Sequence, residues 1–429
     1  HWMAATPSRA DGGLLEADAS GVADLAEAQC RAATGSGTPP GRVRWLDGGG
    51  GKEVFDGEGP DTARAAEVMP DYVEIRCLER IARQAGASTP AELAQRRVLH
   101  LSRVRALPNA IGQLTALREF YIPCSNQLAG LPKSFGDLAS LQTLHIGGNR
   151  LLALPETFGR LAALRTLFLN DNRLSQLPES FGSLRALQTL RLSANRLISL
   201  PASFGDLEAL ETLQLHANEL TALPESFGRL RSLRILGLRG NRLQSLPDTF
   251  GELQALESAE LSENCLSALP DSICGLSALR ALYLHGNCLG VLPGGLGNLS
   301  SLEVVHASHN ELEDLPPGLG ALAKLESLHL HNNHLASLPD SFCNLAALQV
   351  LYLHGNRLAE LPGAFGELPS LRVLHLRGNR LRGLPASFER LRGLRSLELD
   401  PGAELMRKVL QQRVRAAHSL EGGLACCCR

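Results

Sequence analysis

The sequence predicts an α/β repeat solenoid in which short parallel strands form one wall and short helical or 3-10 segments form the other. Three observations predict it: a regularly spaced asparagine, an alternating apolar and polar stretch before it, and a Leu-Pro pair after it. A chain with such a period builds one small unit per repeat and stacks the units. The asparagines recur every 23 residues, at Asn126, Asn149, Asn172, Asn195, Asn218, Asn241, Asn264, Asn287, Asn310, Asn333, Asn356 and Asn379.

Each unit begins with a short strand. The triplet Leu328-His329-Leu330 alternates apolar and polar residues, which is typical of a strand with one buried side. The asparagine then marks the turn at which backbone groups lose their sheet partners. Its amide carries donors and an acceptor that satisfy those groups. We therefore expect a structural asparagine ladder from Asn149 to Asn379.

The other half of each unit crosses the outer side. Proline fixes φ and lacks an N–H, so the Leu-Pro pair turns the chain away from the sheet. Since no unit buries its leucines alone, stability has to come from stacking. One apolar position recurs on this side and is expected to form an inner column, made of Phe135, Phe158, Phe181, Phe204, Phe227, Phe250, Phe342, Phe365 and Phe388, with Ile111, Ile273, Leu296 and Leu319 in the remaining units.

The complete pattern, L-x-x-L-x-L-x-x-N-x-L-x-x-L-P-x-x-F-G-x-L, resembles that of leucine-rich repeat proteins, and both 140–161 and 370–391 carry it. The 23-residue unit with Leu-Pro is similar to the intracellular class, which includes Ras-pathway scaffolds, plant intracellular Ras-group-related proteins and scribble-like polarity scaffolds. It differs from the 24-residue G-x-I-P unit of plant receptor ectodomains. The resemblance implies a curved horseshoe with a concave parallel sheet and a role in protein binding, and it names no partner.

Helical caps are expected at both ends, because a stacked array otherwise exposes its terminal leucines. Residues 71–85 carry an apolar helical stripe, and Thr89 opens a capping box with Pro90 at the first helical position. Residues 402–420 carry a second stripe. The predicted segments are a disordered Ala/Gly/Ser-rich arm (1–65), an N-terminal helical cap (66–96), an array of about thirteen repeats (97–400), and a C-terminal cap helix with a cysteine tail (401–429).

Composition excludes several function classes. A net charge of −2 and a pI near 6.7 leave no surplus that would attract nucleic acid or anionic lipid. Ten cysteines form no C-x-x-C pair, which favours a reducing compartment and a cytoplasmic location. The run Gly51-Lys52 lacks the flanking residues of a phosphate-binding loop, so no cofactor is expected.

Histidines are concentrated late in the array. Counting by 23 residues places them in two columns, whose side chains are expected to point out of the sheet about 5 Å from their neighbours. The first column is Tyr283, His306, His329, Tyr352 and His375, and the second is His285, Ser308, His331, His354 and Arg377.

Four interpretations of these columns compete. His306, His329 and His331 are spaced to converge on zinc, but neither column offers a supporting carboxylate, so no metal site is predicted. Catalysis is disfavoured, since no serine or cysteine is visibly paired with a base and an open sheet excludes water poorly. A merely solvated face remains open. Partner binding is favoured, because rigid Tyr, His and Arg side chains give contact area at low entropic cost, through Tyr283, His285, His306, His329, His331, Tyr352, His354, His375 and Arg377.

Such a histidine surface has an expected pH dependence. Adjacent imidazoles resist joint protonation and repel once they are charged. Binding to a basic partner is therefore expected to weaken below about pH 6, where an ordinary histidine becomes protonated.

The N-terminal half of the sheet has a different composition. Thr143, Thr166, Thr189 and Thr212 form one ladder, with Arg191, His216 and Arg239 beside it. Threonine is a good strand residue on its own account. This half is accordingly interpreted as ordinary strand surface with solvated charges.

The chain ends in Cys426, Cys427 and Cys428, next to a basic helical stretch. The triplet is a candidate for S-acylation, which would give membrane contact only if the cysteines are modified; an incidental tail is the alternative. The overall prediction is a non-enzymatic protein-protein interaction scaffold in intracellular signalling, whose partner is a small GTPase or phosphatase. The alternatives are the substrate-recognition part of a larger ubiquitin ligase or kinase, and a lipid-tethered membrane adaptor.

Overall fold

A computed structural model describes residues 74–123 and 127–400, and the strands in this part form one parallel sheet in chain order. This arrangement confirms the predicted fold class. The strands are Val98–His100 (β1), Glu119–Tyr121 (β2), Thr143–His145 (β3), Thr166–Phe168 (β4), Thr189–Arg191 (β5), Thr212–Gln214 (β6), Ile235–Gly237 (β7), Ser258–Glu260 (β8), Ala281–Tyr283 (β9), Val304–His306 (β10), Ser327–His329 (β11), Val350–Tyr352 (β12), Val373–His375 (β13) and Ser396–Glu398 (β14).

Two helices precede the sheet. Helix α1, residues 74–84, buries Leu78, Ile81 and Ala82 against the first repeats. Helix α2 is Pro90–Ala94, and the Thr89 hydroxyl accepts a hydrogen bond from the Glu92 N–H at 3.2 Å. The Glu92 carboxylate reaches back to the Ser88 N–H rather than to that of Thr89, so the predicted box closes one residue earlier.

Short 3-10 helices lie on the side opposite the sheet. The apolar column beneath them is buried, and its phenylalanine rings stack with centroids 6.2 Å apart between Phe158 and Phe181. The 3-10 helices are Asn109–Gln113, Lys133–Asp137, Glu156–Arg160, Glu179–Ser183, Ala202–Asp206, Glu225–Arg229, Asp248–Glu252, Asp271–Gly275, Gly294–Asn298, Pro317–Ala321, Asp340–Asn344, Phe365–Glu367 and Ala386–Arg390.

Glycine next to the stacked ring lets neighbouring 3-10 helices approach closely. A Cβ on Gly205 would lie 2.0 Å from the Ser226 carbonyl oxygen of the next repeat. The same serine donates from its hydroxyl to the Ala202 carbonyl at 2.6 Å, which ties the two helices together. Cys343 occupies the glycine position of its own repeat, and there the next 3-10 helix is shortened to Phe365–Glu367.

Each asparagine amide joins its own coil to the preceding one through three hydrogen bonds. The Oδ1 of Asn218 accepts from the Leu197 N–H at 3.1 Å, and its Nδ2 donates to the Leu192 and Leu215 carbonyls, each at 3.0 Å. The same three-way bonding recurs at Asn149, Asn172, Asn195, Asn241, Asn264, Asn287, Asn310, Asn333, Asn356 and Asn379. Each amide thus satisfies backbone groups that have left the sheet.

Strand register departs from the 23-residue period at the first repeats. Val98 pairs with Glu119 and Glu119 pairs with Thr143, which are offsets of 21 and 24 residues. Tyr121 stands five residues before Asn126, whereas the paired His145 stands four before its asparagine. One extra residue therefore separates β2 from its asparagine.

Several predicted features lie outside the described residues. They are the arm 1–65, the C-terminal cap helix and tail 401–429 with Cys426, Cys427 and Cys428, and the first ladder asparagine, Asn126. Within residues 74–123 and 127–400, no helix has the length and apolar character needed to cross a bilayer.

Removing a ladder amide should destabilise the array. We expect Asn218→Ala to lower the free energy of unfolding by about 1–3 kcal/mol, because the Leu197 N–H would stay buried and unpaired and the Leu192 and Leu215 carbonyls would each lose one of their two amide donors. Urea denaturation measures the change. Asn298→Ala, at an exposed asparagine, is the control and should be near neutral; equal losses in both variants would contradict the role of the ladder.

Adding a methyl group at the close approach should also destabilise the array. Gly205→Ala forces its Cβ against the Ser226 carbonyl, so we expect a loss of about 1–3 kcal/mol from overpacking. Gly383→Ala is the matched control, since nothing lies within 4 Å of its Cβ position. Unfolding midpoints that do not separate the two variants would refute the contact.

Candidate functional site

The sheet brings the predicted histidine columns together. His306 pairs with Tyr283 on one side and with His329 on the other, and Tyr352 lies between His329 and His375. These residues, the last of each strand, form a middle row across β9 to β13, and the second column lies two residues beyond the end of each strand. We call the set the histidine patch: Tyr283, His285, His306, His329, His331, Tyr352, His354, His375 and Arg377.

Rings within the patch are in direct contact. His306 and His329 stack with centroids 3.7 Å apart and planes 15° apart. In the second column, His331 and His354 stack at 4.3 Å and 13°. Tyr352 contacts the His329 ring at 4.5 Å, and the His331 ring at 6.2 Å. Ring contacts therefore run without a break from Tyr283 to His375 across β9 to β13.

Packing keeps the central imidazoles neutral. Burial, followed by the charges of His306 and His331, lowers the pKa of His329 to about 3. Burial is also the main cause that lowers the pKa values of His306 and His331 to about 4. The predicted weakening below about pH 6 is therefore wrong for these three groups, because desolvation moves their protonation to lower pH.

Several ring nitrogens lack hydrogen bonds. The Nδ1 atoms of His285, His331 and His354 are buried and have no partner. Their Nε2 atoms are left as the ring nitrogens available to another molecule. At the end of the middle row, His375 Nδ1 lies 3.5 Å from a carboxylate oxygen of Glu398.

One serine is paired with a histidine, which the sequence interpretation missed. The Ser327 hydroxyl lies 3.0 Å from His329 Nε2. An imidazole whose pKa is about 3 is a weak base, and a hydroxyl needs a stronger base to become a nucleophile. No group of three or more His, Cys, Asp or Glu side chains in residues 74–123 and 127–400 is arranged to hold a metal ion.

A second row of rings lies on the N-terminal strands. We call it the N-terminal aromatic row: His100, Tyr121, His145, Phe168 and Arg191. Sequence counting missed it because the extra residue after β2 displaces Tyr121 from the 23-residue register. The triplet Phe120-Tyr121-Ile122, which has the apolar-polar-apolar strand pattern, is the signal that would have found it.

Contacts in this row are as close as those in the patch. His100 stacks on Tyr121 at 4.5 Å, and His145 stacks on Phe168 at 4.1 Å. The Arg191 guanidinium lies 4.6 Å from the centroid of the Phe168 ring. Burial lowers the pKa of His145 to about 4, so this imidazole is also neutral at pH 7.

Comparison with protein families supports the repeat assignment. A family model described as a leucine-rich repeat region matches residues 91–191, 157–236 and 224–314, and one described as leucine rich repeat matches 295–358 and 362–401. The matches together run through nearly the whole predicted array. A comparison with curated proteins found no match.

Solved structures with the same fold include bacterial and plant proteins. A leucine-rich repeat protein of Leptospira interrogans is 30% identical, with a TM-score of 0.58, over 75% of this chain and 94% of that chain. The plant peptide hormone receptor RGFR1, solved in complex with RGF2, is 29% identical, with a TM-score of 0.60, over 72% of this chain and 56% of the receptor chain.

A third similar structure is the leucine-rich repeat ectodomain of the receptor kinase GASSHO1/SCHENGEN3 from Arabidopsis thaliana, in complex with CASPARIAN STRIP INTEGRITY FACTOR 2. It is 31% identical, with a TM-score of 0.52, over 70% of this chain and 43% of that chain. This chain thus covers less than two thirds of either plant chain.

The lowered pKa values predict how stability depends on pH. Unfolded histidines bind protons near 6.5, whereas His306, His329 and His331 resist protonation until about pH 3–4. The unfolded state therefore binds more protons in that interval, and the free energy of unfolding falls as the pH drops through it. Replacing all three histidines by Gln should flatten the dependence of the urea midpoint on pH between 6.5 and about 4. Identical slopes for variant and wild type would contradict these pKa values.

Proposed function

The chain belongs to the leucine-rich repeat family, and from this premise we propose that it is a non-enzymatic scaffold that binds a partner protein through the histidine patch. The observation that supports the proposal most directly is the continuous ring contact across β9 to β13. Interface hot spots are enriched in aromatic side chains and arginine that are already held in place. A preorganised surface also loses little conformational entropy on binding.

The neutral state of the patch indicates what kind of surface it would meet. His306, His329 and His331 carry no charge at pH 7, so they bring contact area and hydrogen-bonding nitrogens without a desolvated charge. The unpartnered Nδ1 atoms in the second column leave Nε2 to bond with a partner. We therefore propose a partner surface that is largely apolar, with hydrogen-bonding groups at its centre.

The proposed cellular setting rests on the repeat type and on the cysteines. The 23-residue unit with Leu-Pro and the free thiols Cys77, Cys265, Cys274, Cys288 and Cys343 support a reducing, cytoplasmic setting. Resemblance to intracellular scaffolds supports signal transduction, with a small GTPase or phosphatase as the partner. The two plant neighbours were solved in complexes with RGF2 and with CASPARIAN STRIP INTEGRITY FACTOR 2, which supports binding of a protein or peptide.

Replacing the centre of the patch should abolish capture of the partner. We expect the combined variant His306→Ala, His329→Ala, Tyr352→Ala to lose proteins that the wild-type chain retains from native lysate. With purified partner, the loss should reach about 30-fold or more, as for a central hot spot.

A control on the opposite side separates binding from folding. Glu156, Glu179 and Glu225 are exposed at the first residues of 3-10 helices, so their combined replacement by Ala should leave capture unchanged. Thermal unfolding of both variants checks that the array is intact. Retention of the same proteins by a folded patch variant would remove the patch as the binding site.

A further inference from the structure

The N-terminal aromatic row lies apart from the histidine patch. Between Arg191 and Tyr283 the middle row is occupied by Gln214, Gly237 and Glu260, none of which carries a ring. At about 4.8 Å per strand, the two surfaces are about 20 Å apart. A partner on the histidine patch would therefore leave the N-terminal row free for a different contact.

Arg191 carries a hydrogen-bond donor, Nε, that has no acceptor. Its Nε is buried and has no partner, while its guanidinium lies over the Phe168 ring. Burial lowers the pKa of Arg191, which means that the charged form is poorly solvated where it stands. A buried cationic donor without an acceptor costs free energy, and an arriving carboxylate would remove that cost.

The edge of the same strands carries uncompensated positive charge. Arg97, Arg118 and Arg165 each stand one residue before a strand, are exposed, and make no ion pair within the described residues. Their neighbours at this edge position are other arginines or glutamines, so the repeat provides no acid to pair with them.

The same edge position is neutralised before β7 and β9. Arg234 pairs with Glu257 at 2.6 Å, and Arg280 pairs with Glu303 at 2.9 Å. These arginines are paired because a glutamate holds the same edge position in the next repeat, whereas glutamine holds it after Arg118 and Arg165. Arg372 and Arg395 hold the same position before β13 and β14 and also make no ion pair within the described residues, but no ring row with a buried arginine lies beside them.

An acidic side chain of this region is already engaged. The Tyr121 hydroxyl donates to the Glu119 carboxylate at 2.8 Å. Burial, and then this carboxylate, raises the pKa of Tyr121 to about 12, so the phenol keeps its proton and the bond is maintained. Glu119 is thus held by Tyr121, at the end of the row away from Arg191.

We propose that β1 to β5 form a second docking surface, which binds an extended acidic peptide segment of a partner protein. Arg191 binds a carboxylate of the peptide at the inner end of the row, and Arg97, Arg118 and Arg165 attract its acidic side chains along the edge. Tyr121, His145 and Phe168 pack against its apolar side chains. This surface does not share residues with the histidine patch, so the two proposals are tested by separate measurements.

A peptide fits this surface better than a single-stranded nucleic acid does. Nucleic-acid grooves track a backbone of phosphates with many cations. Here Arg191 is the only arginine within the row, and the Glu119 carboxylate is bonded to Tyr121 of the same row. An alternating peptide instead places acidic groups and apolar groups on opposite sides, which matches an arginine edge beside a ring row.

Fluorescence anisotropy on the full chain tests the proposal, with a short labelled peptide of alternating glutamate and tyrosine as the probe. We expect binding that weakens with salt, and no binding of the peptide in which lysine replaces glutamate. Arg191→Gln should weaken binding by about tenfold or more, the amount expected for a lost charged hydrogen bond. Arg165 is exposed, so Arg165→Gln removes no buried contact, and it should weaken peptide binding by a smaller factor.

Two control variants test whether the loss of binding is specific to this surface. Arg234→Gln removes an arginine from the same edge position, but one already paired with Glu257, and should leave binding unchanged. His329→Ala should also leave it unchanged, which separates this surface from the patch. Equal binding by wild type and Arg191→Gln, equal effects of Arg165→Gln and Arg234→Gln, or tighter binding of a labelled oligouridylate would each overturn the proposal.

Discussion

Each coil of this protein depends on its neighbours to satisfy its backbone and to cover its leucines. Where the chain leaves the sheet, an N–H and two carbonyls lose their partners, and the next asparagine amide supplies them. The bonds reach from Asn218 to the preceding coil, so a coil that shifted by one residue would break them. Stacking is thereby fixed in register, and register decides which side chains meet on the sheet face.

On the opposite side, a stacked ring and a glycine set the spacing between coils. The carbonyl of the following repeat approaches Gly205 so closely that only a hydrogen fits. Three repeats lack this glycine, at Cys274, Cys343 and Glu389, and the first two show how the next coil responds. Cys343 is followed by a shortened 3-10 helix, and Cys274 is followed by Gly295, which has no side chain where most repeats carry serine or threonine. In each case the change is taken up by the next coil.

The functional consequence is a rigid face with distinct halves. Strands β9 to β13 hold stacked imidazoles whose charge is suppressed by burial, whereas β1 to β5 hold rings beside arginines without acidic partners. Both arise from the same backbone, since only the side chains at fixed repeat positions differ. A repeat array can therefore carry surfaces of different chemistry without any change of fold.

The sequence by itself determined the period, the buried positions and the rows across β9 to β13, because residues 23 apart on stacked parallel strands have to be neighbours. It did not determine the pairing of Tyr121 with His145, since one extra residue after β2 breaks the count that the rest of the array obeys. Nor did it determine that His329 stays neutral or that Ser327 reaches its ring, because spacing specifies neighbours but not how much water they exclude. Tertiary packing decided those properties: desolvation and ring contact depend on side chains from several strands at once, and no single repeat contains that information.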